Sequence, residues 1–228
     1  MLTFLESVCQ YGYNLFMNNI LFIEGPIQTG KSTLIRKYLG SHLQRCGGFT
    51  SQRLIDPSGR TKGFRLVSAA GSLTARAEEF ESNAGSSKPF VSDAGIFKWF
   101  TEDGNVVTDQ TVFDTTGVSL LKSSADRPLI LLDEIGGSEL LCDQFRKALD
   151  AVLSSTKPCL GVLKLADGAQ RLQTQYETCG GLSVAEYNAL LRHTITSSGG
   201  RLLYYDRQSS EACDVEREVS LFVNSVFD

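Results

Sequence analysis

The sequence has no closely spaced cysteine pair, no basic block, no long apolar run and no leader-like opening, and each absence removes a class of function. Its six cysteines, Cys9, Cys46, Cys142, Cys159, Cys179 and Cys213, are dispersed, and with two histidines, His42 and His193, they leave no zinc set. Thiols scattered in this way fit a reducing compartment, so a cytoplasmic location is expected. A formal net charge of -4 without a Lys/Arg cluster gives no bulk attraction to nucleic acid or to an anionic membrane. No stretch approaches the length of a membrane span, and Met1 to Met17 lacks both the basic start and the clean apolar centre of a secretory leader. A chain of 228 residues can bury one large core but hardly two. The expected organisation is one domain, 1–228, with an N-terminal helix over 1–18 and an additional segment at about 165–200.

What the chain does have is concentrated at Ile20 to Thr33. The apolar run Ile20 to Ile23 stops at Gly25. Gly25-Pro26-Ile27-Gln28-Thr29-Gly30-Lys31-Ser32 then fits the phosphate-loop pattern G-x-x-x-x-G-K-[ST], with Thr33 and an apolar helix, Leu34 to Leu43, behind it. Strand, turn and helix start in this order bring successive backbone N–H groups and the positive end of a helix dipole onto one anion. Gly25 and Gly30 suit unusual dihedrals or close backbone approach, and Pro26 stiffens the entry. Lys31 is expected beside the β- and γ-phosphates of a nucleoside triphosphate. The Ser32 hydroxyl is expected on Mg²⁺.

A second chemical element follows Asp126-Arg127-Pro128. Leu129-Ile130-Leu131-Leu132-Asp133-Glu134-Ile135-Gly136-Gly137 is a continuous apolar strand ending in adjacent carboxylates, the composition of a strand buried on both faces of a parallel sheet. Open α/β sheets place ligands at this end of their strands. Asp133 is expected to hold Mg²⁺ opposite Ser32, and Glu134 to position or deprotonate the attacking water.

Around these motifs the chain reads as alternating elements. Leu2 to Asn18 has a rough helical spacing of apolar residues. Gly47 to Ile55 and Thr61 to Ala70 flank Asp56-Pro57-Ser58-Gly59-Arg60 and predict a hairpin extending beside the nucleotide. Gly71 to Pro89 reads as a loop, Phe90 to Phe100 as a strand, and Val106 to Ser124 as a helix bent near Gly117. Glu139 to Leu153 predicts an amphipathic helix capped by Ser138, and Cys159 to Leu165 a strand with Lys164 near its end. Ser183 to Thr196 is a helix with Ser183 and Glu186 at capping-box positions, Leu202 to Tyr205 a strand, and Val215 to Val226 a closing helix.

In four stretches the chain resembles the small P-loop nucleoside-triphosphatases first characterised from thermophiles, the cancer-related nucleoside-triphosphatase family. They are Gly25 to Thr33; Gly48-Phe49 with the hairpin to Gly63-Phe64; Leu131 to Gly136 with Glu139-Leu140 and Phe145; and Cys159 to Leu163. Departures fall at Gly137-Ser138 and at Thr50 to Leu54. The resemblance implies a three-layer α/β fold of RecA-like P-loop NTPase type, its sheet mostly parallel with a β-hairpin insertion. It also implies Mg²⁺-dependent hydrolysis of several ribonucleoside triphosphates.

Phosphoryl transfer profits from a further donor against developing charge, and the hairpin carries Arg53, Arg60 and Arg65. Arg53, close to Gly48-Phe49, is the expected catalytic donor, with Arg65 on the opposing run as its rival. Two other functions share the loop: a nucleoside or nucleotide kinase, and a nucleotide-gated module binding a protein partner through the N-terminal helix or residues 165–200.

Overall fold

The computed structural model describes residues 19–71, 95–173 and 181–228. The expected N-terminal helix and most of the Gly71 to Pro89 loop lie outside these residues. In chain order the described elements are β1 (Ile20–Glu24), α1 (Lys31–Leu39), β2 (Gly47–Ile55), β3 (Thr61–Ser68), β4 (Ile96–Phe100), β5 (Val106–Thr108), α2 (Val118–Lys122), β6 (Ile130–Ile135), α3 (Asp143–Leu153), β7 (Cys159–Leu163), α4 (Ala166–Gln173), α5 (Val184–Ser197), β8 (Arg201–Tyr204) and α6 (Ala212–Phe227).

One eight-stranded sheet carries them in the order β5-β4-β3-β2-β6-β7-β1-β8. From β2 to β8 every neighbouring pair is parallel, whereas β3, β4 and β5 extend the β2 edge as an antiparallel meander. The hairpin is therefore part of the main sheet, because β2 is itself hydrogen-bonded to β6.

Alternation along the buried strands divides the interior into two layers. Phe22, Phe49 and Leu132 face a cluster with Phe113, Phe145 and Leu149, closed by Leu191 and Ile195 of α5. Leu21, Ile23, Leu131 and Val162 face the other way, against Leu34, Ile35 and Leu39 of α1 and Val219 and Phe222 of α6. The three-layer mostly parallel architecture expected from the sequence is what the chain forms.

Two element readings are corrected. Val106 to Ser124 is not one helix. Val106-Val107-Thr108 is β-branched and pairs with Lys98 to Phe100, and helical turns begin only after Asp109, whose carboxylate accepts from the Thr111 N–H and hydroxyl. A π-helical turn, Phe113–Gly117, precedes α2. The expected helix at Glu139 begins later too. Ser138–Leu141 is a 3₁₀ turn, and α3 starts at Asp143 without a cap from Ser138. Its first-turn amide at Phe145 is met instead by Asp114 Oδ1 at 2.9 Å, from 31 residues away. The Ser183/Glu186 capping box on α5 forms as the sequence predicts.

Candidate active site

β1 delivers the phosphate-loop sequence to the carboxyl edge of the parallel strands. Gly25 has φ +151° and lies so close to the Tyr205 carbonyl that a β-carbon has no room, while Gly30 has φ +90° at the entry to α1. Gln28 also takes a left-handed conformation, φ 65°, and the Thr29 hydroxyl donates to the Pro26 carbonyl at 3.0 Å. Ile27 points outward. Lys31 is buried, and its Nζ donates to the Gly25 and Pro26 carbonyls at 2.9 and 2.6 Å. Burial pulls its pKa below the ordinary lysine value, against the attraction of Glu134 and Asp133.

The next residue of α1 makes the decisive contact. Ser32 Oγ donates to Asp133 Oδ1 at 2.6 Å, and Arg36, one turn further along α1, reaches Asp133 Oδ2 at 3.3 Å. Asp133 is 3 % exposed, and desolvation raises its pKa although the Ser32 hydrogen bond and Arg36 oppose this. A part-buried hydroxyl beside a buried carboxylate, both hard oxygen donors, suits Mg²⁺, which binds proteins through few carboxylates and otherwise through water and phosphate. Among the described residues no group of three His, Cys, Asp or Glu side chains gathers around any point.

Glu134, the following residue, is partly exposed, and its carboxylate stands 3.9 Å from Lys164 Nζ at the end of β7. The structure thus brings Lys31, Ser32, Asp133 and Glu134 to one place, with Lys164 beside them. Arg53 is elsewhere. Thr50 is in register with Asp133, and Arg53 lies three residues beyond it, roughly 10 Å along the strand. Strand alternation turns Arg53 to the face opposite Thr50, and its side chain is exposed. Arg65 shares the Thr50 face. It is 6 % exposed and donates through Nε to Gln52 Oε1 at 2.6 Å. Arg60 belongs to the turn, bonded to Asp56 and Ser58.

Sequence reading missed a layer beneath the motifs. The Glu139 carboxylate accepts from the Gly137 N–H at 2.6 Å, and Glu24 pairs with Arg192 of α5. Asn188 on the same helix lies among the apolar positions Val184, Leu191 and Ile195, a polar residue in a core stripe and the only local signal for this layer. A separate cavity of about 470 Å³, lined by Arg45, Asp126, Arg127, Pro128 and Lys157, sits where β2, β6 and β7 begin, at the opposite edge of the sheet.

A sequence profile for a family described as NTPase matches residues 20–196. The chain belongs to this NTPase family. Relatives include the nucleoside-triphosphatase THEP1 of Thermotoga petrophila, 30 % identical over 147 residues that span 63 % of this chain and 71 % of that protein. The protein of the same name from Pyrococcus abyssi is 28 % identical over 162 residues, 68 % of this chain and 80 % of its own length. The crystal structure of THEP1 from Aquifex aeolicus superposes with a TM-score of 0.51 at 19 % identity, covering 89 % of this chain and 98 % of that one, a likeness of fold. The matched region of this NTPase-family chain contains the phosphate loop, the Asp133–Glu134 strand end and all but the last residue of α5.

Proposed function

We propose that the protein hydrolyses ribonucleoside 5'-triphosphates, ATP and GTP among them, to the diphosphate and phosphate with Mg²⁺ as cofactor. The observation that carries the reading is the 2.6 Å contact between Ser32 and Asp133 beside Lys31 and Glu134. Residues Gly25 to Thr33 would wrap the β- and γ-phosphates with backbone N–H groups. Lys31, rotating from its two loop carbonyls, would place its ammonium between the terminal phosphates. Ser32 would ligate Mg²⁺, with Asp133 holding the ion through water. When bound, Mg²⁺ neutralises charge on the β- and γ-oxygens.

Glu134 would accept the proton of the attacking water, or orient that water, and Lys164 would fix the carboxylate through its charge. Transfer needs a donor against the developing charge, and we assign this role to Arg65 rather than to Arg53, since only Arg65 shares the Thr50 face that leads to Asp133. Buried thiols at Cys46, Cys142 and Cys159 support a reducing, cytoplasmic setting. Among the described residues no helix is long and apolar enough to cross a membrane.

The test is a panel of nucleoside triphosphates with and without Mg²⁺, comparing wild type with Lys31→Ala. Phosphate release that needs both Mg²⁺ and Lys31 is expected. Faster transfer to an added nucleoside or monophosphate than to water would replace hydrolysis by kinase activity.

A further inference from the structure

Three adjacent strands, β6, β7 and β1, end at Ile135, Leu163 and Glu24, and the residues of the proposed chemistry lie at these ends or just beyond them. All three ends meet one face of α5. Asn188 is fully buried; its Nδ2 donates to the Gly136 carbonyl at 2.9 Å and to the Lys164 carbonyl at 3.3 Å, and its Oδ1 accepts from Arg192 Nε at 2.8 Å. Two carbonyls on one side and an N–H on the other fix which end of the amide is nitrogen. Arg192 donates also to the Lys164 carbonyl at 2.9 Å and pairs with the Glu24 carboxylate.

We propose that Asn188 and Arg192 are positioning residues, which hold the Gly136 turn and the Lys164 peptide so that Glu134 and Lys164 stand correctly against the phosphate loop. The proposal deepens the hydrolase reading and rests on it. Packing alone would be served by leucine at position 188, which lies among Val184, Leu191 and Ile195. The chain spends a buried amide there, and its bonds go to peptides next to the two side chains that approach each other at 3.9 Å. Gly136 is shaped to match. With φ +103° it leaves no space for a β-carbon, which would lie 2.6 Å from Asn188 Nδ2 and 3.0 Å from Leu163. The segment at 165–200, expected from the sequence as a possible partner surface, thereby supplies the underside of the site through α5.

The experiment compares kcat, KM and ATP affinity in Asn188→Ala and Arg192→Lys with melting controls. Asn188→Ala should lower kcat about tenfold while KM and affinity stay within about twofold, the pattern of lost alignment rather than lost binding. Arg192→Lys keeps a charge for Glu24 but not the planar fork that serves three partners, so it should show the same split and remains informative where Asn188→Ala does not fold. In a Glu134→Gln background, Asn188→Ala should leave the residual single-turnover rate unchanged, because its effect passes through Glu134. Wild-type kcat in folded Asn188→Ala, or a loss that multiplies in full with Glu134→Gln, overturns the proposal. An inert wild type would remove the hydrolase reading and this inference together, whereas an active wild type with unaltered variants removes only the inference.

Discussion

Ser32 and Asp133, 101 residues apart in the chain, are joined by a 2.6 Å hydrogen bond that ties the first turn of α1 to the end of β6. The acceptor is a buried carboxylate, so the bond is charge-assisted, and Arg36 supplies only a partly exposed second partner. Ser32→Ala should cost about 1.5–3 kcal/mol in urea unfolding and also weaken the Mg²⁺ dependence of turnover. An unchanged midpoint would show that the Asp133 carboxylate is satisfied without Ser32.

One face of the sheet gathers its rings around Phe145, which is fully buried and 5.5 Å from Phe113 and 5.9 Å from Phe49, centroid to centroid. Phe145→Ala should destabilise by about 3–5 kcal/mol, since the cavity left on α3 is flanked by other rings that cannot close it. Chemical denaturation measures this; a loss under about 1 kcal/mol would mean that the cluster collapses to fill the space.

Two glycines separate strain from crowding. Gly104 has φ +78° with open space around it, whereas Gly136 has φ +103° and Asn188, Leu163 and Lys164 close by. Gly104→Ala should cost about 1 kcal/mol from backbone strain alone, and Gly136→Ala clearly more. Equal costs by thermal and urea unfolding would contradict the close approach of α5 to the Gly136 turn.

The turn between β2 and β3 has a pH signature. Asp56 accepts from the Ser58 hydroxyl and N–H and from the Arg60 N–H and guanidinium, and these hold its pKa at about 2, led by the Ser58 hydroxyl. A folded-state value below the ordinary 3.8 gives stability that is present above that ordinary value and is lost as pH falls towards 2. Melting temperature between pH 4.5 and 2 should therefore drop more steeply in wild type than in Asp56→Asn. Parallel curves would remove the turn from the acid limb.

Local patterns carried most of what the sequence revealed. The turn at Gly25 to Ser32, the all-apolar strand to Asp133, the hairpin and the Ser183/Glu186 box are each written within about ten residues, and each element formed where its residues predicted it. What stayed hidden depends on distant partners. The α3 amide at Phe145 is capped by Asp114, and Val106 to Thr108 becomes a strand because β4 lies beside it. Which hairpin arginine shares a sheet face with Asp133 depends on the register Thr50–Asp133, which puts Arg65 on the face of Thr50 and Arg53 on the opposite one. Asn188 and Arg192 could be seen as polar residues on a helix, but not that their partners are the ends of three strands.

In the proposed hydrolysis Glu134 acts at the water while the phosphate loop binds nucleotide without it. The most direct measurement is therefore nucleotide affinity and single-turnover hydrolysis on the same preparation of Glu134→Gln, which removes the charge and keeps the shape. ATP affinity within about threefold of wild type and a chemical step slowed by at least about a hundredfold are expected. Wild-type hydrolysis by Glu134→Gln would contradict the role proposed for this carboxylate.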